Sequence, residues 1–389
     1  MYRTAARPSI LSGASCLIAL LLLAGLGCRP AMQVEGDSGE VAEVDPDALR
    51  DRIDVALDYT WEKRRLNTRD HAAWQILHGV LAYGPNFPVE HEGQLYPTVE
   101  YLQSGGLMKG WTMERGNRLE RSHEDGSPRY GLRAVVEPGT QTGQGHYDQW
   151  LAIISQCDLP ETTEFKIGDH SYTIADWVAQ VQLDMSRNPE REFSWTLIGL
   201  TAYLPTDASW TDSQGKKWSI EQLVQAELDH GFGSGACGGS HRLIGISMAL
   251  NRHLAQGGKL EGAWASAEEF VREMAITQAR QYQNPNGSFS SNYFLRSGAA
   301  ADLAETLGSS GHTLEFMTLS LTEAELSEPW VMHATDYLSE VLERTEGIAL
   351  ECGALYHAAH ALVLYRQRVY GPREFEMPSG TPGDVAPSI

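Results

Sequence analysis

Three histidines in this sequence follow short glycine-containing segments: Gly143-Gln-Gly145-His146, Gly238-Gly239-Ser240-His241 and Gly308-Ser-Ser310-Gly311-His312. Histidine titrates near neutrality, so side chains of this type suit proton transfer, hydrogen bonding to a ligand or metal binding. Glycine at a helix start lets the backbone turn tightly, and the unbonded amides there favour an anion or a polarised oxygen. Carboxylates accompany two of the histidines, Asp148 just after His146 and Glu315 one helical turn after His312. A glycosidase needs two carboxylates about 5–9 Å apart across one bond. The candidate catalytic set is therefore His146, Asp148, His241, His312 and Glu315. Plainer roles stand beside this one: each His can cap its helix, and each carboxylate can pair with Arg242 or Arg296.

Candidate ligand contacts are Trp74, Trp195, Arg242, Tyr293, Arg296 and Tyr356. The tryptophans can stack on a sugar or an apolar ligand, with core packing as the alternative. His78, His357 and His360 lie inside apolar segments, and the i, i+3 spacing of the last two puts them on one helical face. No Glu-x-x-His partner accompanies that pair, so core or cavity-lining roles are expected.

Apolar segments of helical period recur along the chain at Trp74–Gly79, His146–Leu151, Trp195–Leu200, His241–Ile246, His312–Met317 and Ala354–Ala359. Longer amphipathic segments alternate with them, from Asp47 to Arg65, Tyr96 to Gln103, Tyr172 to Arg187, Ser219 to His230, Trp264 to Gln283 and Pro329 to Glu343. A helix apolar nearly all round sits inside, and one with a polar face sits outside. The alternation predicts an all-α fold, an (α/α)6 toroid of inner and outer helices in which the inner starts share one mouth. Domain bounds follow as signal peptide 1–27, tether 28–46, toroid 47–370 and disordered tail 371–389. Residues Gly105 to Gly145 read as a long loop or small hairpin over one face.

The segment Gln283-Asn-Pro-Asn-Gly287-Ser-Phe289 resembles the Q-x-x-x-G-x-W/F repeat of squalene cyclases and protein prenyltransferases. Those families are rings of helical hairpins, so the resemblance implies the same architecture here. It implies no matching chemistry: the Asp-x-Asp-Asp motif of the cyclases and the Asp, Cys, His zinc pattern of the prenyltransferases have no counterpart. Gly235-Ala-Cys237-Gly-Gly and Glu351-Cys352-Gly353 are also similar in place to the zinc-binding cysteines of lanthionine cyclase toroids. No His directly follows Cys352, and the site is expected to be free of metal and cofactor.

The start of the chain has Arg3 and Arg7, an apolar run from Cys16 to Gly27, and then Cys28. This is the form of a signal peptide, and Ala24-Gly25-Leu26-Gly27-Cys28 resembles a bacterial lipobox with Gly25 where leucine is usual. Lipidation at Cys28 or plain cleavage near Ala31 would both place the protein on the periplasmic side of the envelope or outside it. A lipid anchor would be its only membrane contact.

The formal net charge of -21 argues against a nucleic-acid partner, which needs clustered Lys and Arg. With Cys16 removed and Cys28 lipidated, Cys157, Cys237 and Cys352 are left, an odd count that allows at most one disulfide. Three functions fit: an envelope enzyme on a saccharide or other small polar ligand, an isoprenoid cyclase-like or prenyltransferase-like protein, or a binding scaffold. If Cys28 carries the anchor, Cys28→Ser abolishes incorporation of labelled palmitate and moves the protein from the membrane to the soluble fraction of its host.

Overall fold

The computed structural model describes residues 44–188, 192–231, 233 and 235–377. The signal segment 1–27, Cys28, most of the 28–46 tether and the tail from 378 onward lie outside the described residues. Among the described residues fourteen α-helices form: α1 (Pro46–Lys63), α2 (Ala73–Tyr83), α3 (Thr98–Gln103), α4 (Gln149–Ser155), α5 (Ile174–Asp184), α6 (Ser194–Tyr203) and α7 (Ile220–His230), followed by α8 (Ser240–Ala255), α9 (Ala263–Glu269), α10 (Thr277–Gln281), α11 (Leu303–Ser320), α12 (Glu323–Leu326), α13 (Pro329–Arg344) and α14 (Cys352–Tyr370). Nine strands lie between them among the described residues: β1 (Leu66–Asn67), β2 (Pro88–His91), β3 (Gln94–Pro97), β4 (Met113–Ser122), β5 (Pro128–Ala134), β6 (Glu164–Ile167), β7 (His170–Thr173), β8 (Ser209–Thr211) and β9 (Lys217–Ser219).

The expectation of an all-α toroid is corrected by these strands. About 52% of the chain is helix and 13% strand, in several small antiparallel sheets, so the protein is mixed α/β. The strands sit at the joints between helices. β2–β3, β6–β7 and β8–β9 are antiparallel hairpins, and each runs directly into a helix, α3, α5 and α7. Their turns place Glu92 and Gly93, Gly168, or Gly215 at positive φ, which short hairpin turns require. Thr173 and Ser219 then cap the following helices, accepting from the amides of Asp176 and Gln222. Strands of only three or four residues bury too little for their alternation to stand out against the helical period, and the starts of the amphipathic segments at Tyr96 and Tyr172 belong to strands. The fourth hairpin, β4–β5, covers α5: Arg129 and Arg133 pair with Asp176 and Asp184 at 2.5 and 2.6 Å.

The helices α2, α4, α6, α8, α11 and α14 pack each on the next, and α14 returns to α2. Close approach depends on glycine at one junction above all. A Cβ at Gly311 would lie 2.7 Å from the Ala358 amide nitrogen, so α11 and α14 meet backbone to backbone there. That contact puts His312 and Glu315 beside His357 and His360. Outside, Arg64 is fully buried and donates to the carbonyls of Thr345 and Ile348, joining the end of α1 to the loop before α14. The segment resembling the cyclase repeat is a staple: Gln283 Nε2 donates to the Gly287 and Trp330 carbonyls, and Phe289 is buried against Trp330.

Residues 371–377 of the expected tail dock on α1. Arg373 pairs with Asp54 and Asp58, and Phe375 packs on Trp61. Among the described residues no disulfide joins Cys157, Cys237 and Cys352, and no helix is long and apolar enough to cross a membrane. Alanine normally stabilises a helix interior over glycine by about 1 kcal/mol. Gly311→Ala reverses that sign, because the Ala358 backbone cannot retreat; a loss of about 1–3 kcal/mol in chemical denaturation is expected.

Candidate functional site

Cys237 heads the site, and the backbone that carries it is strained. It has φ 50 and ψ 45, followed by Gly238 and Gly239 at φ 63 and 85. A left-handed conformation at a residue with a Cβ costs about 1–2 kcal/mol. The turn aims the thiol back over the first turn of α8, and Ser240 Oγ fixes it by donating to the Cys237 carbonyl at 2.8 Å. Gly238 is needed where the Tyr293 ring lies over the turn: a Cβ at that position would be 2.3 Å from the ring.

The Cys237 thiol, His241 and His312 come together, with one ligand-type atom of each within 4.8 Å of the other two. The Nε2 atoms of His241 and His312 are 3.1 Å apart. His312 Nδ1 is 2.6 Å from the Gly308 carbonyl, and donation to that carbonyl turns Nε2 toward Cys237 and His241. His312 is 4% exposed and His241 9%, whereas Cys237 is only half-buried, so the cluster is approached from the thiol side.

Burial raises the Cys237 thiol, but the charge of His312 and hydrogen bonds from His312 and Tyr293 outweigh it, and the thiol titrates below its ordinary range. Burial disfavours charge on His312, yet the Cys237 thiolate, then Glu315 and the Gly308 carbonyl, hold it at about 9. Each of the two thereby favours the charged form of the other. His241 is pushed well below its ordinary value by burial and then by the neighbouring His312, His357 and His146, so it is neutral.

Beneath the cluster Glu315 is locked between two imidazoles. Its oxygens accept from His357 Nδ1 at 2.9 Å and His360 Nδ1 at 2.7 Å, all three side chains buried. Burial opposes its charge, but the histidines outweigh burial and hold it well below the usual carboxylate range. His357 is depressed to about 3 by burial first and by His312 second. It therefore serves Glu315 as a neutral donor. Its ring stacks on His312 at 3.7 Å between centroids and fixes that imidazole from below.

The expected site residues separate into those that converge and those that do not. His241 and His312 converge, with Glu315 under them. Trp195, buried, forms a wall 4.7 Å from the His241 ring. His146 lies farther out, 6.1 Å from that ring, with Nδ1 2.5 Å from the Glu192 carboxylate. Tyr293 covers the thiol. Trp74 stands over His78 at 4.3 Å.

The others do not converge. Asp148 accepts from Thr196 at 2.5 Å and lines a separate pocket with Gln144, Tyr147 and Asp184, whereas Glu315 is taken up by His357 and His360. Arg242 is buried and bonds Glu227 at 3.2 Å and the Gly231 carbonyl at 2.8 Å, joining α8 to the end of α7. Arg296 is exposed, with its carbonyl accepting from Ser290. Tyr356 is fully buried and donates to the Arg64 carbonyl at 2.8 Å. Cys352, weighed with Cys237 as a zinc pair, instead takes a contact from Gln75 Nε2 at 3.8 Å, and His241 and His312 stand beside Cys237 in its place. Sequence reasoning missed this trio. The Cys237-x-x-x-His241 spacing across a helix start was its available signal.

No protein-family model, curated protein or solved structure matches the chain. The arrangement therefore speaks for itself chemically: three soft or borderline donors, a basic partner for the thiol and a preset imidazole.

Asp148 gives a pH-linked test. Burial raises it to about 6, against about 3.9 for an unperturbed Asp, so the folded state holds its proton across that window. Its contribution favours the fold below about pH 4 and is lost as pH rises through about 6. Asn tolerates the φ of 63 found at this position and still accepts from Thr196. Asp148→Asn is expected to raise stability at pH 7 by about 1–2 kcal/mol and to flatten the fall between pH 4 and 7, read by urea denaturation across pH.

Proposed function

We propose that this protein is a metal-dependent enzyme of hydrolytic type, exported and held to the envelope through lipid at Cys28, in which Cys237, His241 and His312 bind one zinc ion. The single observation that carries the reading is the convergence of their three donor atoms within 4.8 Å. Thiolate and imidazole are the donors a borderline-soft ion such as zinc takes, at about 2.3 Å for sulfur and about 2.0–2.1 Å for nitrogen. Among the described residues no fourth Cys, His, Asp or Glu joins the three. Structural zinc sites use four protein ligands, while catalytic ones use three and leave a position for water. The ion would supply a bound water acidic enough to attack near neutral pH.

The protein's own contribution is orientation. The Gly308 carbonyl sets the His312 tautomer, and the His357 ring stacked on it restricts its tilt. Tyr293, hydrogen-bonded to the thiol, sits where an incoming polar group would meet it. His146 and Trp195 line the same approach, one as a polar contact held by Glu192 and the other as a flat wall. A small polar substrate, a saccharide included, suits this lining better than an isoprenoid.

A second reading is favoured by the left-handed Cys237 turn and by the His312 imidazole that lowers the thiol: Cys237 as a nucleophile with His312 as its base. Metal analysis separates the two. On the zinc reading, protein purified without chelator carries about one zinc per chain, and His312→Ala and Cys237→Ser each weaken zinc retention by about tenfold or more. Hydrolysis of an activated ester is then lost with chelator and restored by zinc. Metal-free protein that stays active, with activity destroyed by iodoacetamide at Cys237, establishes the nucleophile instead.

A further inference from the structure

A second site lies at the other end of the same helices. The inner helices run in one direction, and a rise of 1.5 Å per residue puts Ala255 about 21 Å along α8 from His241. There the ends of α4, α6, α8 and α11 surround an open cavity of about 790 Å3. None of Cys237, His241 and His312 lines it. Its apolar part includes Ile198, Met248, Leu319 and Leu364.

The side-chain donors of this cavity are mostly spent on backbone carbonyls, Ser155 and Gln156 on Ala152, Thr201 on Leu197 and Asn251 on Leu319, which leaves acceptors to face a ligand. His360 lines it, 5% exposed, with Nδ1 held by Glu315 at 2.7 Å. Donating from Nδ1 leaves Nε2 as a lone-pair acceptor, and Nε2 has no hydrogen bond among the described residues. Tyr203 also lines the cavity, and its buried Oη has no partner there among the described residues. Helix C-termini carry unbonded carbonyls and a negative dipole end, and those of α4, α6 and α8 lie at this mouth. Asp158 and Glu161 stand exposed at the rim with no ion pair among the described residues. The cation of the wall, Arg252, donates to the Ala202 carbonyl.

We infer that this cavity binds an organic ammonium ion with a short alkyl body. The charged head would give its N–H groups to His360 Nε2, Tyr203 Oη and the carbonyl ends, while the alkyl part covers Ile198, Met248 and Leu319. An anion meets the dipole ends and carboxylates unfavourably. A neutral alcohol offers one donor where the site presents several acceptors.

The test is calorimetric titration of the full mature chain with n-hexylammonium, n-hexanol and n-hexanoate. The ammonium is expected to bind with a Kd below about 1 mM and at least about tenfold more tightly than hexanol, with no binding of hexanoate. Met248→Trp, which fills the cavity, abolishes binding, and Asp158→Asn with Glu161→Gln weakens it severalfold and removes its salt dependence. Unchanged thermal unfolding of each variant shows that the fold survives; if Met248→Trp fails to fold, Leu364→Trp takes its place. Equal binding of hexanol or hexanoate, ammonium binding that survives the filling variant, or no binding of any probe overturns the inference. The readout is independent of zinc at Cys237, so its failure and failure of the zinc reading are told apart.

Discussion

The structure depends on the backbone contact between α11 and α14 at Gly311 and Ala358. Everything polar in the centre follows from it. Two helices that touch backbone to backbone bring the i, i+3 pair His312 and Glu315 against the i, i+3 pair His357 and His360. Glu315 then takes both histidines, and the His357 ring lies flat on His312. A buried carboxylate so placed is stable because both its oxygens accept hydrogen bonds, and leaving either unpaired would carry the desolvation penalty of a buried charge. The trio is therefore held from below by a hydrogen-bonded buried network.

A parallel logic holds the thiol side. Glu227 is buried and accepts from the Phe193 amide, Ser194 Oγ and Arg242 Nε, so α6, α7 and α8 are tied at one point. That tie fixes the start of α8, where Cys237 stands in its left-handed turn. The local strain persists because the surroundings over-determine it: Ser240 holds the carbonyl and Tyr293 covers the following glycine. Rigid support from both sides is what a site of three preset donors requires.

Much of this was legible in the residues. Apolar segments led by histidine or tryptophan marked the helices that meet in the centre, because burial on all sides leaves a nearly continuous apolar pattern. The Gly-His segments marked His241 and His312 as neighbours, although only His241 stands at a helix start and Gly308 to His312 lie inside α11. The small hairpins were not legible as sheets, since three- and four-residue strands carry too few alternations, although Gly168 and Gly215 signalled their turns. Arg242 and Tyr356 were misread as ligand contacts because a charged or phenolic group on an inner helix looks the same in sequence whether it faces a cavity or a neighbour. Asp148 and Glu315 could not be separated by sequence, since their distance depends on which helices are adjacent. A resemblance to lanthionine cyclase toroids set Cys237 beside Cys352, and only the fold could show that His241 and His312 stand nearer.

The central claim is that Cys237, His241 and His312 together form one metal centre. X-ray absorption at the zinc edge of the zinc-loaded, full mature chain tests it most directly. The account predicts a four-coordinate shell with one sulfur at about 2.3 Å, two imidazole nitrogens at about 2.0–2.1 Å and one further oxygen. A shell without sulfur, or one with two sulfurs, would contradict it.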